Sequence, residues 1–211
     1  YATEESIQEL ESRLGLDRPI AVQYLSYMAS AVQGDLGTSF ITGYTVVEEI
    51  MNRIPVTAQL AFYSILFGSV LGISIGILAA VKKNTIYDQL AMTLALIGIS
   101  APGFWIALFL ILLFSYQLSI FPISGYSGFY SLILPSITLG LGTAGSIARM
   151  TRSSMLDVIK QDYIRTARAK GAGAYRLIFQ HCLQNAVIPV ITLIGMQFGY
   201  LMAGAVVTET V

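Results

Sequence analysis

Asp162-Tyr163-Ile164-Arg165-Thr166-Ala167-Arg168-Ala169-Lys170-Gly171-Ala172-Gly173-Ala174 is basic, polar and rich in small residues, and it stands between two long apolar segments, 129–148 and 184–208. Charged side chains are expensive in hydrocarbon. A polar island between two such segments therefore lies outside the bilayer, and its positive charge indicates on which side.

The composition places the whole chain in the membrane. Of its 211 residues 55% are hydrophobic and 11% charged, with a mean hydropathy of +0.70. Soluble domains carry about 25% charged residues. The reading is an all-α polytopic membrane protein. Net charge is zero, but the charges are segregated: eight of twelve acids precede position 50, and seven of twelve Lys/Arg lie between Arg149 and Arg176. The single cysteine, Cys182, excludes an intrachain disulfide and reads as a small packed side chain.

Four spans flank the island or precede it. The one after it covers roughly 185–208, with Pro189 in its first turns and a small-residue stripe at Gly195, Gly199 and Ala203. Before the island, 129–148 carries Pro135, Gly140, Gly142 and Gly145 and is suited to close packing. A span over 88–118 is interrupted at Ser100-Ala101-Pro102-Gly103, where a proline-induced kink is expected. The first span, 56–81, is free of charge and sets Gly68, Gly72 and Gly76 four apart on one stripe, which lets another helix approach. Lys82-Lys83-Asn84 is a short basic turn, and 119–128 an uncharged loop broken by Pro122, Gly125 and Gly128.

Residues 1–55 form a separate, non-spanning helical region. Thr3 caps a first short helix with Ile7, Leu10 and Leu14 on one face, and Gly15 stops it. Pro19 opens a second, with Ile20, Tyr24, Tyr27, Met28 and Ala31 as its apolar face and Gly34 at its end. After a turn-rich loop, Thr45 opens a third short helix reaching Arg53, and Pro55 starts the first span. The chain begins at Tyr1 without Met and stops at Val211 in an apolar stretch; both ends read as cut, with spans missing on either side.

Alternating the connections puts every basic loop on one side. The turn 82–84 and the loop 149–184 fall together and are cytoplasmic by the positive-inside rule. The region 1–55 and the loop 119–128 face outward.

No catalytic constellation is present. One histidine, His181, supplies neither a metal cluster nor a His-based triad, and no phosphate-binding glycine loop occurs. The cores of the spans carry no charge, which argues against ion-coupled transport. Energy, if used, enters from a partner. Ala167, Ala169, Gly171, Ala172, Gly173 and Ala174 keep the island's surface low, so a partner protein reaches the backbone and seats a helix in a groove. Arg165, Arg168 and Lys170 orient the dock, and Gly171 and Gly173 permit a sharp turn between two short helices. The plainer alternative is a non-transporting membrane scaffold whose basic loop anchors to anionic lipid.

Residues 165–171, Arg-Thr-Ala-Arg-Ala-Lys-Gly, resemble the "EAA" loop of ABC-importer permeases, whose pattern is E-A-A-x-x-x-G. Gln180 to Pro189 is similar to the form this loop takes in the dipeptide/oligopeptide/nickel branch. Gly15-Leu16-Asp17-Arg18-Pro19, Gln23-Tyr24-Leu25, Gly34 to Ser39 and Arg149 to Leu156 match the same branch, so the resemblance covers nearly the whole chain. Arg165 departs from the pattern's Glu and Thr166 from its first Ala; Gln184 stands where a proline is usual.

The resemblance implies a type I ABC importer permease, without enzyme activity, in a bacterial or archaeal inner membrane. Family members usually have six spans. It implies a transmembrane domain over 56–211 and a coupling helix around Tyr163, Arg165, Thr166, Ala167, Arg168, Ala169 and Lys170 with Gly171 at its turn. The implied partners are a homologous second permease, two cytoplasmic ATPases that bind the ATP and Mg, an extracytoplasmic solute-binding protein near 1–55, and membrane lipid, with no nucleic acid. This chain itself is expected to hold no cofactor or metal. The cargo would be peptides, nickel or other metal chelates. Met196, Gln197 and Tyr200 are pore candidates on the last span.

Overall fold

The computed structural model describes residues 15–125 and 128–204. The helix read from Thr3 to Leu14 lies outside the described residues, as does the polar segment Thr208-Glu209-Thr210. The chain forms two compact units, Tyr1–Val56 and Thr57–Val211.

In the first unit, α1 spans Ile20–Val32, with Pro19 at its N-cap. Its end is a Schellman turn: Gly34 takes φ +87°, the Asp35 N–H reaches the Ser30 carbonyl at 2.9 Å and the Gly34 N–H that of Ala31 at 3.0 Å. Among the described residues nothing buries the apolar face of α1. Ile20 is 84% exposed and Tyr24 62%, and no residue of the helix is buried. A stripe shows what a helix can bury; whether it does depends on a second surface. Next comes a tight reversal, closed by pairing of Thr38 with Thr45. The Thr45 hydroxyl then accepts the Glu48 N–H at 3.3 Å and caps the next helix.

That helix, α2, runs unbroken over Val46–Val81 with Pro55 inside it. The short helix expected to end at Arg53 and the first span are one element. An Arg53–Glu49 pair one turn apart lies just before the proline. α3 covers Ile86–Ser100, and α4 covers Gly103–Leu110 and continues as a widened, π-helical stretch to Gln117. α5 is Phe129–Ile159 and α6 Asp162–Ala169. α7 begins at Ala174, widens over Leu177–Cys182, and continues as Leu183–Gly204.

Among the described residues three helices are long and apolar enough to cross a membrane, four if α3 and α4 count as one broken span. The interruption at 100–103 is a full break rather than a kink. Ala101 and Pro102 are both extended, at ψ 131° and 128°, and the two arms diverge by 99°. Proline disfavours helical backbone in the residue before it, and Pro102 starts the new helix by accepting the Trp105 N–H at 3.0 Å.

α5 is the centre of the second unit: 56% of its most apolar window is buried, against 33% for α2 and 17% for α7. Glycines make it so. A Cβ on Gly72 would lie 2.6 Å from the Ala144 carbonyl oxygen, one on Gly76 2.7 Å from that of Ala148, and one on Gly68 2.9 Å from that of Gly140. α5 answers with Gly140, whose Cβ would fall 2.9 Å from the Ser64 carbonyl. On another side Gly145 sits on the Ala95 carbonyl of α3, and Gly98 approaches the Leu141 carbonyl of α5. In lipid, association rests on such close backbone approach. Gly195 and Gly199 differ: nothing in the described residues comes within 4 Å of a Cβ at either.

Candidate functional site

The island 162–174 folds into α6 and the turn after it. Gln161 is extended before the helix; Asp162 occupies its first turn and Arg168 its last, matching the helix dipole. Among the described residues of α6 Ile164 alone is buried, at 1% exposure. It enters a pocket made by Ala80 of α2, Met155 of α5, and Leu177, Cys182 and Ala186 of α7. One apolar peg therefore ties α6 to its two neighbours in the chain, α5 and α7, and to the end of α2, which is distant in sequence. Burying an Ile side chain stabilises by about 1.5–3 kcal/mol.

Two further features fix α6. Asn185 Nδ2 donates to the Tyr163 hydroxyl at 3.0 Å and to the His181 carbonyl at 3.0 Å. At the other end Gly171 takes φ +85°; the Ala172 N–H bonds the Ala167 carbonyl at 3.1 Å and the Gly171 N–H that of Arg168 at 3.0 Å. This Schellman turn needs a left-handed residue, which glycine supplies without steric cost. A Cβ there meets open space, so Gly171 is required by the backbone rather than by a neighbouring surface.

Arg165, Thr166, Arg168, Ala169 and Lys170 are exposed, Ala167 is half-buried, and Tyr163 is 44% exposed. The Thr166 hydroxyl bonds back to the Asp162 carbonyl at 3.0 Å. Among the described residues Arg165 pairs only with Asp162 of its own helix, at 3.5 Å. Both side chains are largely in solvent, so the pair contributes little. The result is a short helix pegged on one side, with a shallow cationic face on the other. The island does turn sharply at Gly171, but the turn leads into the start of α7 rather than into a second short helix.

Two features of the site escape the sequence patterns. α5 extends past 148 to Ile159, so Arg149 and Arg152 belong to a helix rather than a loop. And Arg152 meets Asp88, at the start of α3, in a two-pronged ion pair. The signal for it was a lone acid beside an apolar segment. The pore candidates Met196 and Tyr200 are 69% and 71% exposed, and Gln197 is half-buried.

Comparison with known proteins identifies this architecture. The family described as binding-protein-dependent transport system inner membrane component matches residues 72–211, and its N-terminal companion matches 1–61. The chain belongs to this permease family. The permease is 42% identical over 210 residues to the glutathione transport system permease protein GsiC of Escherichia coli (strain K12), covering 100% of this chain and 69% of the relative. It is 40% identical to the dipeptide transport system permease protein DppB of Alkalihalophilus pseudofirmus, with 100% and 72% covered. The di/tripeptide permease DppB of Pseudomonas aeruginosa is 42% identical, with 94% and 68% covered. A solved amino acid ABC transporter, crystallised with histidines, shares the fold at a TM-score of 0.59 and 13% identity, over 76% of this chain and 71% of that one. The permease is thus a multi-pass inner-membrane subunit of an ABC importer, a transport protein rather than an enzyme.

Proposed function

We propose that the permease imports small peptides or peptide-like solutes, and that α6 receives the work that drives it. The carrying observation is the seat of α6: a helix with a shallow outward face, pegged by Ile164 into α2, α5 and α7 together. Anything that moves α6 must move those three helices or empty the pocket. Metal chelates, including nickel, are the narrower reading of the cargo; among the described residues no group of three or more His, Cys, Asp or Glu gathers that could hold a metal ion.

In this reading two ATPases bind ATP and Mg and hydrolyse the ATP, one docking on α6 of this chain and the other on a homologous second permease. A solute-binding protein delivers cargo to the outer face, where the 1–55 region stands. The loop 160–173 and the turn 82–84 lie in the cytoplasm, as the basic residues of both require. The outward residues Tyr163, Arg165, Thr166, Arg168, Ala169 and Lys170 form the dock, with Ala167 and Gly171 shaping it. The low profile at Ala169 lets a partner reach the helix backbone, and the two arginines orient it.

The test is Ala169→Asp in the full transporter. Ala169 is exposed, so the variant inserts and folds normally. The expected result is loss of ATPase subunits from the purified complex and of glutathione or dipeptide uptake. Full retention of ATPase subunits by this variant contradicts the proposal.

A further inference from the structure

Asp88 is the only acid between Glu49 and Asp157, and it is buried at 4% exposure. Its carboxylate accepts from Arg152 Nε at 2.6 Å and Nη2 at 2.7 Å, and from the Asn84 N–H at 2.9 Å. A planar fork on a carboxylate fixes direction as well as distance. Asn84 takes φ 62°, a left-handed conformation uncommon for a side-chain-bearing residue. The turn between α2 and α3 is therefore folded onto this carboxylate.

The position of the pair matters more than its strength. Arg152 lies three residues before Met155 on α5, and Met155 lines the pocket of Ile164. Asp88 stands in the first turn of α3. Farther along, α3 and α5 pack by close approach, with Gly145 on the Ala95 carbonyl and beside the Ile99 side chain, and Gly98 near the Leu141 carbonyl. Such packing holds the helices close but is apolar and carries no charged, direction-setting bond. The ion pair is a directional fastening between the two helices, and it lies at the end of α3 nearest the α6 pocket.

We infer that Asp88 and Arg152 are positioning residues for energy coupling. They latch the start of α3 to α5, so that displacement of α6, passed through Ile164 and Met155, carries α3 with α5 and reaches the break at Ala101–Pro102. Without the latch the start of α3 is no longer bound to follow α5. This rests on the reading of α6 as the docking element.

The test measures ATP hydrolysis by the complete transporter in lipid nanodiscs, with and without its solute-binding protein, per assembled complex. The latch predicts that Asp88→Asn lowers the stimulation ratio by about fivefold or more, the range of ordinary site-to-site coupling. A merely structural staple lowers both rates by one factor and leaves the ratio at its wild-type value, and that result overturns the inference. If Asp88→Asn does not assemble, Arg152→Lys, which keeps the charge and loses the fork, decides by the same ratio: a fall in the ratio supports the latch, and an unchanged ratio overturns it. Ala169→Asp separates the two readings. If α6 is not the dock, that variant keeps its ATPases. If only the latch is wrong, it loses them while Asp88→Asn retains the wild-type ratio.

Discussion

The permease carries two glycine stripes of the same spacing, and they have opposite fates. Gly68, Gly72 and Gly76 are buried against α5, close enough that a single added carbon would meet backbone atoms. Gly195 and Gly199 face open space on α7, the least buried of the long helices. The pattern states that a helix can be approached; it does not state by what. For the first stripe the approaching surface is in the same chain, with its own glycine at 140 aligned to receive it. For the second no described residue of this chain fills the role.

The largest expected effect comes from that contrast. Gly72→Leu drives a side chain into the Ala144 carbonyl and Ile147, which flexible side chains cannot relieve; overpacking of this kind costs about 1–3 kcal/mol and more when backbone must move. Thermal melting in detergent should fall by many degrees, with much of the protein lost to aggregation. Gly199→Leu should leave the melting of the isolated permease unchanged. Equal losses from the two would remove the distinction between the stripes.

A more local effect, smaller for the molecule as a whole, is expected at α6. Ile164→Ala empties the peg and costs about 2–5 kcal/mol at a well-packed site. Because α6 is a short element, much of that loss should appear as local unfolding, read as faster amide exchange over 160–173 with α2 and α5 still protected. Smaller again is Gly171→Ala. It forces a Cβ into a left-handed conformation at about 1–2 kcal/mol without touching a neighbour, so amide exchange should rise at Gly171 and Ala172 first. Protection unchanged in both variants would mean that α6 is not held as described.

The spans, the island and the outward sequence of α1 were legible because each is written in local composition or period. Helix ends were not. The expected boundaries at 56 and 148 mark where charge begins, hence where hydrocarbon ends, but α2 starts at Val46 and α5 runs to Ile159. A helix satisfies its backbone in water as well as in lipid, so charge content does not terminate it. The Pro102 interruption was visible; its 99° angle was not, because it depends on two consecutive extended residues. At the site, the small and basic residues of 162–174 could be read directly. The Ile164 pocket could not, since its walls come from positions 80, 155, 177, 182 and 186. The Asp88–Arg152 pair joins residues 64 apart, a distance no periodicity spans.

The central claim is that the exposed face of α6 is where the ATPases dock, and site-directed crosslinking tests it most directly. Cys182, the one native cysteine, is buried at 1% exposure, so a thiol introduced by Ala169→Cys is the reactive one. Charged with a photoactivatable maleimide in the intact transporter, it should form an adduct with an ATPase subunit. The same probe at Leu96→Cys, exposed on α3 within the apolar segment, should not. An intact complex that yields no ATPase adduct from position 169, or equal adducts from both positions, would contradict the account.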